Sequence, residues 1–400
     1  MGTEAAGLVL GCAAVSAGVL WTARQTWAQR FFRIVPAVLL VYYVPAVLAA
    51  VGLLPRESAG HEFMREIVLP FSLFLLLATA DPNSILRLGP RALGVMLFGT
   101  LGVVLGGPAA YWITRPWLPE EAWRGLAAIA GSWIGGSGNF AAIKEAVATP
   151  DDLVGPLIIV DTAVAYTWTG ILLFLAPHQA LLDRWTRADR RLLDEVTRRL
   201  EAAEPARPAS VSTPGILGIL ACGLAGTWIS RQLGWVLEAG AEPLLQEHVP
   251  ALAGVFSSYT WMVLVLTTLG IALSLTRFRR LESYGASQFA YSALYLFLAS
   301  LGTKADAAGL AAAPGLLAAG VVWMLVHIAV LALGARLLRA PAVLAAVGSQ
   351  ANIGGVATAP IVAAAYCPPL APLGLLLGIF GYLVGNYGGL LCAALLRFLA

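Results

Sequence analysis

The sequence predicts an all-α polytopic membrane protein. It should contain two inverted-topology repeats, each of about five transmembrane helices plus a Gly-broken re-entrant hairpin or broken helix. Three observations carry this expectation. First, charged residues make up only 12% of the 400 residues, hydrophobic residues 59%, and mean hydropathy is +0.80, whereas a soluble domain is about a quarter charged. Second, apolar runs near the ~20 residues needed to span a bilayer recur from end to end. Third, two of these runs, in corresponding places of the two halves, are interrupted by glycine. The same composition excludes disorder, collagen-like structure and a disulfide scaffold. A net charge of +3, with no basic run interleaved with aromatics, argues against a nucleic-acid partner.

The segments follow in order. The first half has runs at Glu4–Trp21, Ile34–Leu54, Ile67–Ala80 and Arg91–Thr114. The fifth, Trp123–Thr149, is broken by glycines, and Leu153–Ala176 is the sixth. Residues 177–213 then turn rich in Arg, Asp and Glu and cannot enter lipid. Leu181, Leu182, Trp185, Leu192, Leu193 and Val196 recur there at three- and four-residue steps, the pattern of an amphipathic surface helix. This stretch divides a first transmembrane repeat (1–176) from a second (214–400). The second half has runs at Pro214–Ser230, Val249–Thr276, Ala286–Leu301 and Pro314–Leu338. Ala342–Tyr366 is its glycine-broken fifth segment, and Ala371–Phe398 ends the series. Leu73–Thr79 aligns with Leu294–Ser300, and Gly131-Ser132 with Gly348-Ser349, as an internal repeat would require.

Arginine distribution sets the orientation, because basic loops tend to stay cytoplasmic. The 177–213 linker holds seven arginines and should be inside. Arg277, Arg279, Arg280, Arg336 and Arg339 follow it, and the 231–248 and 302–313 loops should be outside. In the first half Arg24, Arg30, Arg33, Arg87 and Arg91 fall inside, with the N-terminus outside. The absence of a basic stretch before the first run argues against a cleaved signal peptide. If both broken segments crossed the membrane, the seven-arginine linker would land on the wrong side. Re-entrant hairpins remove the conflict and give the halves opposite orientation. Each arm of about 12 residues would reach roughly 18 Å, the middle of the bilayer. Crossing helices with one charge assignment reversed remain the alternative. Inverted repeats with broken helices at the midplane are a mark of secondary transporters, since irregular backbone at that depth must line a cavity or be buried in protein.

Candidate site residues lie at the two breaks. The first reads Gly131-Ser-Trp-Ile-Gly-Gly-Ser-Gly-Asn139, the second Gly348-Ser-Gln-Ala-Asn-Ile-Gly-Gly355. Glycine permits a tight turn and close approach of backbone to ligand, and exposed helix ends offer N–H groups to anions and carbonyls to cations. Gly135, Gly136, Ser137, Gly138, Asn139, Ser349, Gln350, Asn352, Gly354 and Gly355 are therefore the expected substrate-binding set, with Ser137 or Asn139 as a cap for the second arm. The bland reading is that these glycines only allow close helix packing. Asp161 sits mid-segment in an apolar run, where a carboxylate usually faces a cavity or a partner. With Thr162 and Asn386 it forms the expected ion-coupling set. A structural carboxylate bonded to Ser or Thr is the alternative.

Other polar residues read as structural. Asp81 precedes Pro82-Asn83-Ser84 and suits a turn. His327 reads as a satisfied core histidine, and Lys144 and Glu145 as side chains reaching the membrane interface. Cys12, Cys222, Cys367 and Cys392 read as small buried hydrophobes. No Walker motif, GxSxG, HExxH or metal-ligand cluster is present, so neither an enzyme nor a bound cofactor is expected, beyond Na⁺ as a coupling ion.

At Gly131–Asn139 and at Ser349-Gln-Ala-Asn-Ile-Gly-Gly355-Val-Ala-Thr-Ala-Pro360 the chain resembles the domain of unknown function 819 family, multispanning proteins of bacteria and plastids, over nearly its whole length. More distantly, the Gly-rich segments are similar to those of the sodium/glutamate symporter and 2-hydroxycarboxylate transporter families. That resemblance implies inverted five-helix repeats, two re-entrant loops at the substrate site, and sodium- or proton-coupled symport of a small organic anion. No arginine sits in or beside either Gly-rich turn, which argues against a dicarboxylate. A cation/proton antiporter using Asp161 as the exchanging carboxylate is the second reading, and a non-transporting membrane assembly protein the third. The expected setting is the inner membrane, multi-pass, with the lipid bilayer and a small solute as partners and a homodimer left open.

Overall fold

The computed structural model describes residues 3–32, 35, 37–189, 196–198, 211–250, 255–304 and 313–400, which are helical with no strand among them. The first half contains α1 (Thr3–Ala23), α2 (Ala37–Ala50), α3 (59–78), α4 (Pro90–Thr114), α5 (Ala122–Ala146) and α6 (Asp151–Leu175), followed by the short α7 (Gln179–Thr186). The second half contains α8 (Thr213–His248), α9 (Ser258–Ser274), α10 (Ala286–Thr303), α11 (Ala313–Leu337), α12 (Ala342–Ile353), α13 (Gly355–Tyr366) and α14 (Ala371–Arg397). Among the described residues six helices are long and apolar enough to cross a membrane, and α9 counted as one span with the bent turn after it makes a seventh. The ten crossings expected from the sequence count α2, α3 and α10 as well. Large apolar side chains such as Trp112, Phe174, Trp228 and Leu325 stand exposed on the outer surface, as a lipid-facing belt requires.

Several boundaries depart from the sequence reading, each for a physical reason. Among the described residues of the second run the helix covers Ala37–Ala50, ending short of Leu54 because the chain turns at Gly52 with φ +80. The third begins at Ala59 rather than Ile67 and carries a π-turn at Met64–Val68. Its charged residues hid it, but they are paired within the protein. Arg65 Nε lies 2.8 Å from a Glu145 carboxylate oxygen, and His61 Nε2 lies 2.8 Å from Thr303 Oγ1. The loop expected at 231–248 is instead the continuation of α8, a 36-residue helix. At about 1.5 Å per residue it far exceeds a ~30 Å hydrocarbon layer, so its polar end projects beyond the layer. Within the run expected from Val249, of which residues 251–254 lie outside the described residues, α9 starts at Ser258, where the Ser257 hydroxyl accepts from Thr260 N–H. The amphipathic segment forms a helix over Gln179–Thr186 and stops at Arg187 in the left-handed region. Leu192 and Leu193 lie outside the described residues, as does Arg33.

The helices sort into two groups. α1, α2 and α3 pack with α8, α9 and α10 into a frame. α4, α5, α6, α11, α12, α13 and α14 pack into a second group built around the two glycine breaks. Within the second group α4 and α11 approach closely. A methyl group added at Gly102 would come 2.9 Å from His327 Cα, and Trp323 Nε1 donates to Val103 O at 2.7 Å. The groups meet chiefly where α3 and α9 touch α5 and α14.

Candidate functional site

The first glycine break is a hairpin. Gly136 has φ +76 and ψ −170 in the middle of α5, a conformation open to glycine and strained for any other residue. Gly131 and Asn139 would be about 12 Å apart along a straight helix. Here a methyl group at Gly131 would lie 2.8 Å from Asn139 O. The two ends meet as well, since Thr149 Oγ1 donates to Arg124 O at 3.1 Å and Arg124 donates to Val147 O at 2.8 Å. The second break turns at Gly354 and Gly355, the latter with φ +59. Gln350 reaches Thr358, eight residues on, at 2.6 Å. Its two ends, Ala342 and Tyr366, border one apolar cavity beside Trp185 of α7, and Asp183 of α7 accepts from Ala342 N–H at 2.8 Å.

The hairpins open at opposite ends of the bundle. α6 starts at the mouth of the first, where Lys144 Nζ meets Asp151 at 2.6 Å. It ends at the mouth of the second, where Tyr366 donates to Leu172 O at 3.0 Å. The tips therefore approach each other from opposite directions. The last helix, α14, is shaped to hold both. Methyl groups at Gly385 and Gly389 would come 2.9 and 3.2 Å from Gly135 Cα and Gly131 Cα of the first hairpin. One at Gly378 would come 2.7 Å from Val356 N of the second.

Between the frame and the hairpin group lies a cavity of about 360 Å³. Both tips reach it, through Gly136 and Ser137 on one side and Gly354, Gly355 and Thr358 on the other. Asp161 and Thr162 of α6 face it from the middle, and Phe32, Tyr291 and Tyr295 of the frame close it. Asp161 is tied to the first hairpin, accepting from Ser132 Oγ and Trp133 Nε1 at 2.7 Å each. A charge at the centre of a membrane helix costs at least ~2.5–3.5 kcal/mol, and two hydrogen bonds to a charged group, worth about 1.5–3 kcal/mol each, are of the size needed to offset it. Asp161 thus joins the two alternatives of the sequence reading: it is hydrogen-bonded to Ser132, and it lines a cavity.

The expected substrate set is divided. Gly136, Ser137, Gly354 and Gly355 line the cavity. The Ser137 hydroxyl caps nothing and is exposed to that space. Gly135, Gly138 and Asn139 are buried behind the first tip, and Ser349, Gln350 and Asn352 behind the second. The expected ion-coupling set is divided too. Asn386 does not line this cavity with Asp161; it borders a smaller one beside Ser137, Gly138 and Asn139, its amide 2.9 Å from that of Asn139 and donating to Thr267 Oγ1 at 2.8 Å. Asn139 does close the break, one end of its amide lying 2.7 Å from Gly135 O.

Behind the second tip runs a neutral hydrogen-bond chain. Trp168 Nε1 meets Ser349 Oγ at 2.9 Å, Ser349 meets His327 Nε2 at 2.8 Å, and His327 Nδ1 meets Gly99 O at 2.9 Å. His327 is a satisfied core residue, as expected. Asn352 accepts from Thr100 at 2.9 Å and donates to Met96 O at 3.0 Å. Gln350 Nε2 donates to Thr169 and Thr358, while its Oε1 is buried with no hydrogen-bond partner among the described residues.

Lys144 and Glu145 require correction. They do not reach outward but are buried at the mouth of the first hairpin. Lys144 binds Glu145 at 2.9 Å and Asp151 at 2.6 Å, Asp151 binds Lys304 at 3.1 Å, and Glu145 binds Arg65. Asp81 does take the turn role, accepting from Ser84 N–H at 3.2 Å, and also pairs with Arg279. The sequence reading missed the tyrosines around the cavity, the hydrogen bond from Trp133 to Asp161, and the glycines of α14. Of these only the glycine spacing leaves a trace in the sequence.

A family model described as "Protein of unknown function (DUF819)" matches residues 9–399, and the chain belongs to this family. It is also 25% identical over 388 residues to the "Uncharacterized membrane protein YjcL" of Bacillus subtilis (strain 168), covering 96% of this chain and 94% of that one.

Proposed function

We propose that this membrane protein is a secondary active transporter that moves a small solute by alternating access, with a cation, Na⁺ or H⁺, coupled at Asp161. The observation that carries this reading is the convergence of two glycine-turned hairpin tips, opening at opposite ends, on one cavity faced by a mid-helix carboxylate. In alternating access one group of helices rocks or slides against another around a site near the bilayer middle. The thin seam between the frame and the hairpin group suits that motion. The opposite openings of the hairpins support the inverted repeats 1–176 and 214–400, and the seven arginines of the 177–213 linker support its cytoplasmic placement.

The coupling ion has two candidate positions. Asp161 offers a negative charge that takes Na⁺ or a proton. Gln350 offers a buried acceptor, which costs about 1–3 kcal/mol while no donor or cation meets it. The cation/proton antiporter is the second reading, favoured by Asp161 being the only charged side chain among the described lining residues.

Proteoliposomes separate these readings. Uptake of one member of a panel of small labelled solutes, accelerated by a Na⁺ or H⁺ gradient imposed in one of its two directions and lost in Asp161→Asn, is the expected result. Sodium-driven proton movement with no organic solute identifies the antiporter. Sealed vesicles that show neither, from protein that is folded and correctly inserted, overturn both.

A further inference from the structure

We propose that the cavity binds a small organic cation, an amine or quaternary ammonium compound, with Asp161 as its counter-ion and tyrosine rings as its walls. The inference rests on reading this cavity as a transport site, with the organic cation and the Na⁺ or H⁺ occupying Asp161 in turn so that the two exchange, and it departs from the organic anion implied by the Gly-rich resemblance.

Charge is the first argument. Among the described lining residues Asp161 is the one formal charge, and no lysine, arginine or histidine faces it. An anion would bring a second negative charge into a poorly screened space with no basic side chain to receive it. A cation finds its counter-ion in place. Ser132 and Trp133 each occupy one site on the carboxylate, and an ionised carboxylate has about four acceptor sites. Those that remain can accept from an ammonium N–H or sit against a methylated nitrogen.

The walls are the second argument. Tyr166, Tyr291, Tyr295 and Tyr382 line the cavity together with Phe32. Aromatic faces attract ammonium groups through the ring quadrupole, and aromatic cages are a recurrent means of holding methylated nitrogen. The walls come from both helix groups, since Tyr291 belongs to α10 and Tyr382 to α14. Their hydroxyls meet at 3.2 Å across the seam. Tyr382 also lies against the first tip, its ring 3.2 Å from where a Gly136 side chain would begin. A cation in this cage would touch the frame and the hairpin group at once, so its binding would report on the seam that has to move.

Size is the third argument. About 360 Å³ is at the low end of small-molecule sites, which run roughly 300–1,000 Å³. It suits a compact amine better than a peptide or a lipid.

The test uses the full-length protein in nanodiscs. Benzyltrimethylammonium and phenylacetate, which share an aromatic ring and differ in charge, are titrated by calorimetry and by thermal shift. Binding of the ammonium but not of phenylacetate is expected, with affinity reduced more than tenfold in Asp161→Asn. Tyr382→Leu and Tyr295→Leu should each also weaken it severalfold. Thermal midpoints of the ligand-free variants show whether they fold, and Tyr295→Leu keeps the wall testable if Tyr382→Leu does not fold. Preference for phenylacetate, no binding of either probe to folded protein, or ammonium binding unchanged in folded Asp161→Asn overturns the proposal. Failure of the transport reading shows separately. A Ser137→Cys variant that is labelled from one membrane side under every ion condition, in vesicles that accumulate no solute, removes alternating access without touching the binding result.

Discussion

The two hairpins share a turn and differ in chemistry. The first turns at Gly136 and bonds through Ser132 and Trp133 to a carboxylate on α6, and its mouth is closed by buried charge among Lys144, Glu145 and Asp151. The second turns at Gly355 and is held near its tip by the neutral Ser349, Gln350 and Asn352, with Asp183 of the amphipathic α7 capping its mouth. A turn set by glycine geometry thus serves two electrostatic settings. The first suits a charged ligand, and the second suits rigid positioning, apart from the one free acceptor on Gln350.

Four experiments sharpen or break this contrast. The largest effect is expected where both hairpins depend on one helix. Gly385→Leu would drive a side chain into Gly135, and overpacking of this kind costs about 1–3 kcal/mol or more. Monodisperse protein should fall severalfold by size-exclusion chromatography. Gly170→Leu, which meets open space, should leave the yield unchanged. Equal yields would show that α14 does not clamp the first hairpin.

Next is the charge itself. Asp161→Asn should fold, keep its Ser132 contact, and lose the sodium or pH dependence of uptake. Gln350→Leu, its neutral counterpart in the second hairpin, should change the half-saturating ion concentration less. If Gln350→Leu abolishes the ion dependence and Asp161→Asn does not, the ion sits in the neutral hairpin and the roles assigned above are exchanged.

The turns come third. Val at position 136 or 355 must take a positive φ, at about 1–3 kcal/mol, and should abolish uptake while insertion survives. Asn tolerates that region far better. At Gly355, where a side chain would meet open space, Gly355→Asn should retain much more transport than Gly355→Val. Equal loss in both variants would mean that contact with the solute, rather than backbone strain, is what position 355 requires.

The smallest effects are expected at the mouths. Asp183→Ala removes a cap from α12 and should cost about 0.5–2 kcal/mol. Lys304→Met removes a partly exposed ion pair to Asp151 and should cost at most ~1 kcal/mol. Thermal midpoints measure both, and a larger loss in Lys304→Met would show that the charged mouth is cooperative rather than pairwise.

Much of this architecture was legible in the sequence, because hydropathy and glycine are local signals. The long apolar runs, the positions of both breaks and the isolation of Asp161 all follow from residues near one another in the chain. Helix ends hidden by charge were not legible. Arg65 and Glu66 look like a loop until Glu145 and Arg231 are brought to them from 80 and 165 residues away. Nor was the cavity wall, since Tyr291 and Tyr295 share a face of α10 but Tyr166 and Tyr382 lie on two other helices that no spacing links to it. The set Gly374, Gly378, Gly381, Gly385 and Gly389 is plainly periodic in the sequence. What it lacked was a partner, and the partner is both hairpins.

That shared partner has a mechanical consequence. Because α14 lies against the first hairpin at Gly385 and the second at Gly378, a shift of one tip that keeps these contacts carries the other along. On the proposed transport reading, ion and cargo would then move together. Slippage, the idle cycling that dissipates a gradient, would need the hairpins to part from α14. In a transporter of this kind the tightness of those glycine contacts would set how little of the gradient is wasted per solute moved.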